Sequence, residues 1–92
     1  MNTHILKTDP LPFQAVLDGV KTHEIRKNDR NFQVGDKLIL RETTISGADM
    51  VKFKTPFAQY TGRAFHCVIT HIQTGYGLMP DWCILSIKQQ DE

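Results

Sequence analysis

The sequence predicts a small α+β domain, a twisted and partly closed barrel of about five strands with one early helix. Three observations carry that reading. Ninety-two residues suffice for one core and no second. Several segments alternate apolar and polar residues with the period of a half-buried strand, and Gly-, Pro- and Asp-bearing turns separate them. One segment near the N-terminus instead repeats its apolar residues at helical spacing.

Taken in chain order, Asn2–Lys7 reads as the first strand, with Ile5 and Leu6 as its apolar content. Thr8 or Asp9 can cap a helix that has Pro10 in its first turn, where a missing N–H costs nothing. Phe13, Val16, Leu17 and Val20 then recur at i, i+3, i+4 and i+7 and give that helix one apolar face. Gly19 is placed to end it as a left-handed cap. Lys21–Lys27 alternates. Thr22, Glu24 and Arg26 share one strand face, and Lys21, His23, Ile25 and Lys27 share the other. The first face is wholly polar, and the second offers Ile25 alone to a core. A polar face on an inner strand lines water or a ligand cavity. Asn28–Gln33 is a loop, and Val34-Gly35-Asp36 a tight turn into the strand Lys37–Glu42, where Leu38 and Leu40 alternate with Ile39 and Arg41.

The segment 43–59 reads as an insertion, a protruding hairpin or loop. Its Ser46–Asp49 run is a turn signal, Met50–Phe53 a short strand, and Lys54-Thr55-Pro56 a break. Arg63–Gln73 is the longest strand, with Phe65, Cys67 and Ile69 on one face and Val68 and Ile72 on the other. Thr74–Pro80 is a loop bounded by Gly and Pro. Trp82–Lys88 closes the fold as a strand, with Cys83, Leu85 and Ile87 facing one way and Trp82 expected in the core.

Composition narrows the function classes. A sequence pI of about 7.8 excludes a histone-like, charge-driven binder, so any nucleic-acid site is local. The N-terminus lacks the pattern of a secretion signal, and no apolar stretch approaches the roughly 20 residues of a membrane span. Two cysteines are too few for a disulfide scaffold, which points to a cytoplasmic protein with both thiols reduced. His66, Cys67, His71 and Cys83 are zinc-ligand types without CxxC or HxxxH spacing, and His66 and Cys67 lie on opposite strand faces, so neither a metal nor a cofactor is expected.

One segment stands apart. Lys21–Arg30 holds seven ionisable residues in ten positions and sums to +2, in a chain whose total is +1. Lys7, Lys21, Arg26, Lys27 and Arg30 are candidates to hold a phosphate or a carbonyl oxygen, the arginines in bidentate fashion. Asn28 and Asp29 sit among them. Glu24 can accept from an exocyclic amine, as carboxylates do with cytosine N4, or pair with Arg26 or Lys7. Of the aromatic residues Tyr60, Tyr76 and Trp82, Tyr76 has the better claim to stack a base, because it lies between two glycines in a loop.

Gly19-Val20-Lys21-Thr22-His23-Glu24-Ile25-Arg26 resembles the G-x-K-x-x-E-x-R signature of the ASCH domains of the PUA-like superfamily. Further blocks extend the likeness. They are Leu6–Thr8, Phe13–Val16, Glu24–Arg30, Phe32–Asp36, Tyr60–Arg63 and Gly75–Leu78, and together they resemble a phage and bacterial ASCH-like branch catalogued as a domain of unknown function. The resemblance implies a PUA-like β-barrel of about five to six mostly antiparallel strands with one or two short helices. It also implies a cleft beside the first helix, with RNA or a modified nucleoside as ligand. Some ASCH relatives are small amidohydrolases acting on N4-acetylcytidine, in which a Lys, a Thr three residues later and a distant Glu are the catalytic residues. This chain keeps that Lys as Lys21 and carries Glu24 at the Thr position, which removes the proposed nucleophile. No glutamate lies between Lys54 and Lys88 to match the distant one.

Two functions follow as expectations. The first is a module that binds RNA, a nucleoside or a nucleotide in a cleft of Lys7, Lys21, Glu24, Arg26 and the Asn28–Arg30 loop. The alternative is a small hydrolase acting on a modified nucleoside, with Glu24 as general base and Lys21 or Arg26 stabilising the oxyanion.

Overall fold

Among the described residues, five strands and two helices follow one another as β1 (Thr3–Thr8), α1 (Pro10–Leu17), β2 (His23–Lys27), β3 (Lys37–Thr43), α2 (Gly47–Lys52), β4 (Tyr60–Gln73) and β5 (Trp82–Gln89). The structure, a computed structural model, describes residues 1–54 and 59–90. The strands form one mixed sheet in the order β1-β3-β4-β5-β2. Of its neighbouring pairs, β1–β3 is parallel and the others are antiparallel.

The sheet curls into a half-barrel, and β4 is the reason. Its first half pairs with β3 from Val68 back to Tyr60, and its second half pairs with β5 from Cys67 on to Gln73. A register shift between Ile69 and His71 marks a bulge, and another lies between Arg41 and Thr43 on β3. Bulges bend a strand and add twist, so a single 14-residue strand turns the corner of the sheet. Inside the curl, Leu38 and Leu40 of β3, Phe65, Cys67 and Ile69 of β4, and Cys83, Leu85 and Ile87 of β5 form the apolar floor. Phe13 and Val16 of α1 pack onto it.

Helix α1 ends in a Schellman turn. The Gly19 N–H donates to Val16 O and the Val20 N–H to Ala15 O, and Gly19 takes a φ of +76° that a side chain would strain. Of the residues expected on the apolar face, Leu17 is 40% exposed as the last residue of the helix, and Val20 is exposed because it lies beyond the helix end. Asp9 precedes the helix without a side-chain cap bond. Its Oδ1 instead accepts from Gly47 N at 2.9 Å and moors the start of α2.

That second helix corrects the reading of 43–59. Ser46 does not open a hairpin turn. Its side chain accepts from Asp49 N at 3.1 Å and caps a helix, so Met50–Lys52 is helical and not a strand. The break expected at Lys54-Thr55-Pro56 falls mostly outside the described residues. Among the described residues, no helix is long and apolar enough to cross a membrane.

The turn at Val34–Asp36 forms as expected, and a buried carboxylate organises it. Asp36 Oδ1 accepts from Asn2 N at 3.1 Å. Its Oδ2 accepts from Gln33 N at 3.0 Å and lies 2.9 Å from His4 Nε2. These contacts, His4 foremost, hold the Asp36 carboxyl below its ordinary range.

Candidate functional site

The two outer strands, β1 and β2, are the free edges of the curled sheet, and they face each other across a seam. Arginine side chains bridge it where a hydrogen-bonded ladder would close a barrel. Arg26 Nη2 donates to Lys7 O at 2.8 Å and reaches Thr8 Oγ1 at 3.4 Å. Arg30 Nη1 donates to Ile5 O at 3.0 Å. Ile5 and Lys7 offer these carbonyls because the alternate residues of β1 turn their backbone groups toward β3.

The wholly polar face predicted for β2 turns inward. Glu24 is only 4% exposed and stands opposite Leu85, while Arg26 stands opposite Cys83. Ile25, expected in the core, is 50% exposed on the outer face. Ile25 stands opposite Ile84 on the face of the sheet turned away from Cys83 and Leu85. The inner side meets the half-open barrel, which admits charge if the charge is paired.

Glu24 is paired twice. Its Oε1 accepts from Lys21 Nζ at 3.1 Å, and its Oε2 accepts from Arg26 Nε at 3.1 Å. Lys21 Nζ also donates to His23 O. The Schellman turn sets the position of Lys21, because Lys21 N donates to Ala15 O at the end of α1. The charge of Glu24 is felt in the core. Burial first, and Glu24 second, push the Cys67 thiol up to about 12. Burial also raises Cys83.

This triad opens onto a cleft of about 300 Å³ between the start of α1 and β2. Lys7, Thr8, Asp9 and Pro12 form one wall and Lys21, Glu24, Ile25 and Arg26 the other. The volume sits at the lower end of small-molecule sites, which run from roughly 300 to 1,000 Å³. A second cleft, of about 290 Å³, continues along the seam and shares Ile25 and Arg26 with the first. It adds Lys27, Asp29, Arg30, Leu6, Phe32 and Trp82.

The predicted residues therefore divide. Lys7, Lys21, Glu24 and Arg26 line the first cleft, and Lys27, Asp29 and Arg30 the second. Asn28 plays a bracing part. Its Oδ1 accepts from Phe32 N at 3.1 Å, and its own N–H donates to Asp81 O at 2.7 Å, which ties the loop to the turn before β5. Tyr76 is 95% exposed at a φ of +53° in the β4–β5 loop and lines neither seam cleft. Tyr60 lies under the Arg41 guanidinium, 3.7 Å from its ring centre. Trp82, expected in the core, is 38% exposed at the rim of the second cleft. Sequence reasoning missed Thr8, Asp9 and Pro12 as cleft residues. Their position at the strand-to-helix junction beside the charged segment was the available signal.

Comparison with known proteins places this architecture in a family. The model of a family described as "Domain of unknown function (DUF3850)" matches residues 3–87, a span that holds both clefts. An uncharacterized 12.9 kDa protein in the GpA 3′ region of Escherichia phage P2 is 33% identical over 82 residues, covering 89% of this chain and 64% of that protein. The chain thus spans less than two thirds of that relative's length.

Proposed function

This chain belongs to the DUF3850 family, and for it we propose that the seam between β1 and β2 binds RNA or a nucleoside, as the likeness to ASCH domains of the PUA-like superfamily implies. One observation carries the reading. A buried carboxylate is aimed into a cleft between two cations, and both cations also face that cleft. The other buried glutamate held by an arginine, Glu42, lines neither cleft, whereas Lys21, Glu24 and Arg26 line the first together. A row of carboxylate acceptor and cationic donor suits the edge of cytosine, with Glu24 accepting from the exocyclic amine at its end and a neighbouring cation donating to the ring acceptors beside it. Lys7 and Arg30 extend the row toward phosphate.

The geometry suits an acceptor held in place. Both oxygens of Glu24 accept from cations, and each keeps a second lone pair with which to accept from an exocyclic amine. Lys21 and Glu24 then serve as ligand contacts.

Calorimetric titration at low salt with nucleosides, single-stranded RNA and duplex RNA tests the proposal. Saturable binding that weakens with added salt and is lost in Lys21→Ala is expected. Absence of binding to all three ligand types would overturn it. N4-acetylcytidine is expected to survive incubation with the protein, and turnover abolished by Lys21→Ala would replace the binding reading with the hydrolase.

A further inference from the structure

Beyond Ile25 and Arg26, which it shares with the first, the second cleft is built from the residue types that hold a base and its phosphate. Trp82 stands opposite Lys27 in the antiparallel β2–β5 register, on the outer face of the sheet. Its backbone is fixed, since Trp82 N donates to Met79 O at 3.1 Å and the neighbouring Asp81 O accepts from Asn28 N. This large aromatic residue is 38% exposed and lines the cleft together with Arg30 and Lys27. Leu6 and Phe32 supply an apolar floor. Three cations and one carboxylate line the cleft, so its lining carries a formal +2.

The arginines between the clefts have donors to spare. The contacts to Glu24, Lys7 and Thr8 use Arg26 Nε and Nη2 and leave Nη1 without a partner among the described residues. Arg30 spends Nη1 on Ile5 O and keeps Nε and Nη2. Their anchor points on β1 are two residues apart, about 6.6 Å along a strand. Both guanidiniums are thus fixed in place, and a phosphate that meets them does not have to order two long side chains first.

We propose that the seam takes two consecutive nucleotides of a single-stranded RNA. One base sits in the Lys21–Glu24–Arg26 cleft, the next stacks on Trp82, and the linking phosphate lies at Arg26 and Arg30. This rests on the nucleoside-binding reading and adds the length and strandedness of the ligand. A duplex is excluded from the arrangement because a base stacked on Trp82 must leave its own helix.

Trp82 is the chain's single tryptophan, so its fluorescence reports this subsite without labelling. The experiment titrates the protein with cytidine and with the diribonucleotide CpC, following both fluorescence and heat. CpC is expected to bind at least roughly tenfold more tightly than cytidine and to quench Trp82, in keeping with the value of one stacked base. That advantage should disappear in Trp82→Leu and shrink in Arg30→Ala, with melting curves showing that both variants fold. Equal affinity for the two ligands, or an advantage for CpC that survives Trp82→Leu, would overturn the second subsite while leaving the first cleft standing. No binding of either ligand would overturn the nucleoside-binding reading and this extension with it.

Discussion

Glu24 and Glu42 are buried to nearly the same depth, 4% and 6% exposed, and each is held by an arginine. Their surroundings differ. Arg63 grips Glu42 with two guanidinium nitrogens, Nε to Oε1 at 2.9 Å and Nη2 to Oε2 at 2.8 Å. Thr61 Oγ1 adds a third contact at 2.8 Å, and Arg63 Nη2 also donates to Gln14 Oε1 of α1. These contacts, Arg63 first, hold the Glu42 carboxyl below its ordinary range and raise Arg63. This is a clamp between β3, β4 and the helix, with Arg63 at the surface and away from both clefts. Glu24 instead divides its oxygens between a lysine and an arginine that stand apart and face a cleft. Burial and pairing alone do not mark a functional carboxylate. The difference between the two lies in whether the cations line a cleft.

The widest separation between the two glutamates should come from the clamp. Arg63→Ala leaves Glu42 buried without its main partner, the costly way to disrupt an ion pair. It is expected to lower the melting temperature more than Arg26→Ala, Glu24→Gln or Glu42→Gln, with ligand affinity unchanged in protein that remains folded. An equal loss of affinity would mean that the two glutamates belong to one system. Arg26→Ala should show the opposite profile. Loss of one charge-assisted contact is expected to weaken ligand binding by roughly 10- to 100-fold, with Glu24→Gln falling in the same range and Glu42→Gln leaving affinity alone.

Acid and base titrate the structural groups and leave a smaller signature. Asp36 and Glu42 ionise more readily folded than unfolded, where their ordinary values are 3.8 and 4.5. The unfolded chain therefore binds more protons as pH drops below about 4.5, and stability falls from there through the lower folded values. Cys67 has the opposite sign. Raised from 9.0 to about 12, it stays protonated in the fold while the unfolded thiol ionises, so stability should also fall as pH rises from 9 toward 12. Urea melts should show stability falling below about pH 4.5 and again above about pH 9, and stability that is flat across both ranges would contradict it. The smallest effect concerns reactivity. Buried and protonated, Cys67 and Cys83 should resist a thiol reagent at pH 8 in the native protein and both react once it unfolds.

Most of the fold was legible because its central strands obey a simple period. Leu38 and Leu40, Phe65 to Ile69, and Cys83 to Ile87 each alternate, and each alternate residue faces the core. The edges were not legible in the same way. Ile25 reads as core and lies outside, because the polar residues Glu24 and Arg26 take the inward face of β2 opposite Leu85 and Cys83. Trp82 reads as core for its size and stands at the rim, because its neighbour across the ladder is Lys27. The helix α2 was hidden by Ser46-Gly47, which spells a turn but caps a helix when Asp49 follows. The cleft residues Lys7, Lys21, Glu24 and Arg26 were named from charge and motif. Their convergence depends on the curl of β4, which brings two sequence-distant edges face to face and leaves no local trace.

Everything proposed for this protein turns on whether the β1–β2 seam, and not the Glu42 clamp, receives a ligand. Amide chemical shifts of the 15N-labelled protein, followed while cytidine and then CpC are added at low salt, decide between the two places. Movement is expected at Lys7, Thr8, Lys21, Glu24 and Arg26 with cytidine, spreading to Arg30 and Trp82 with CpC, while the signals of Glu42, Thr61 and Arg63 stay still. Unmoved spectra, or shifts centred on the clamp, would show that the seam is not the binding site.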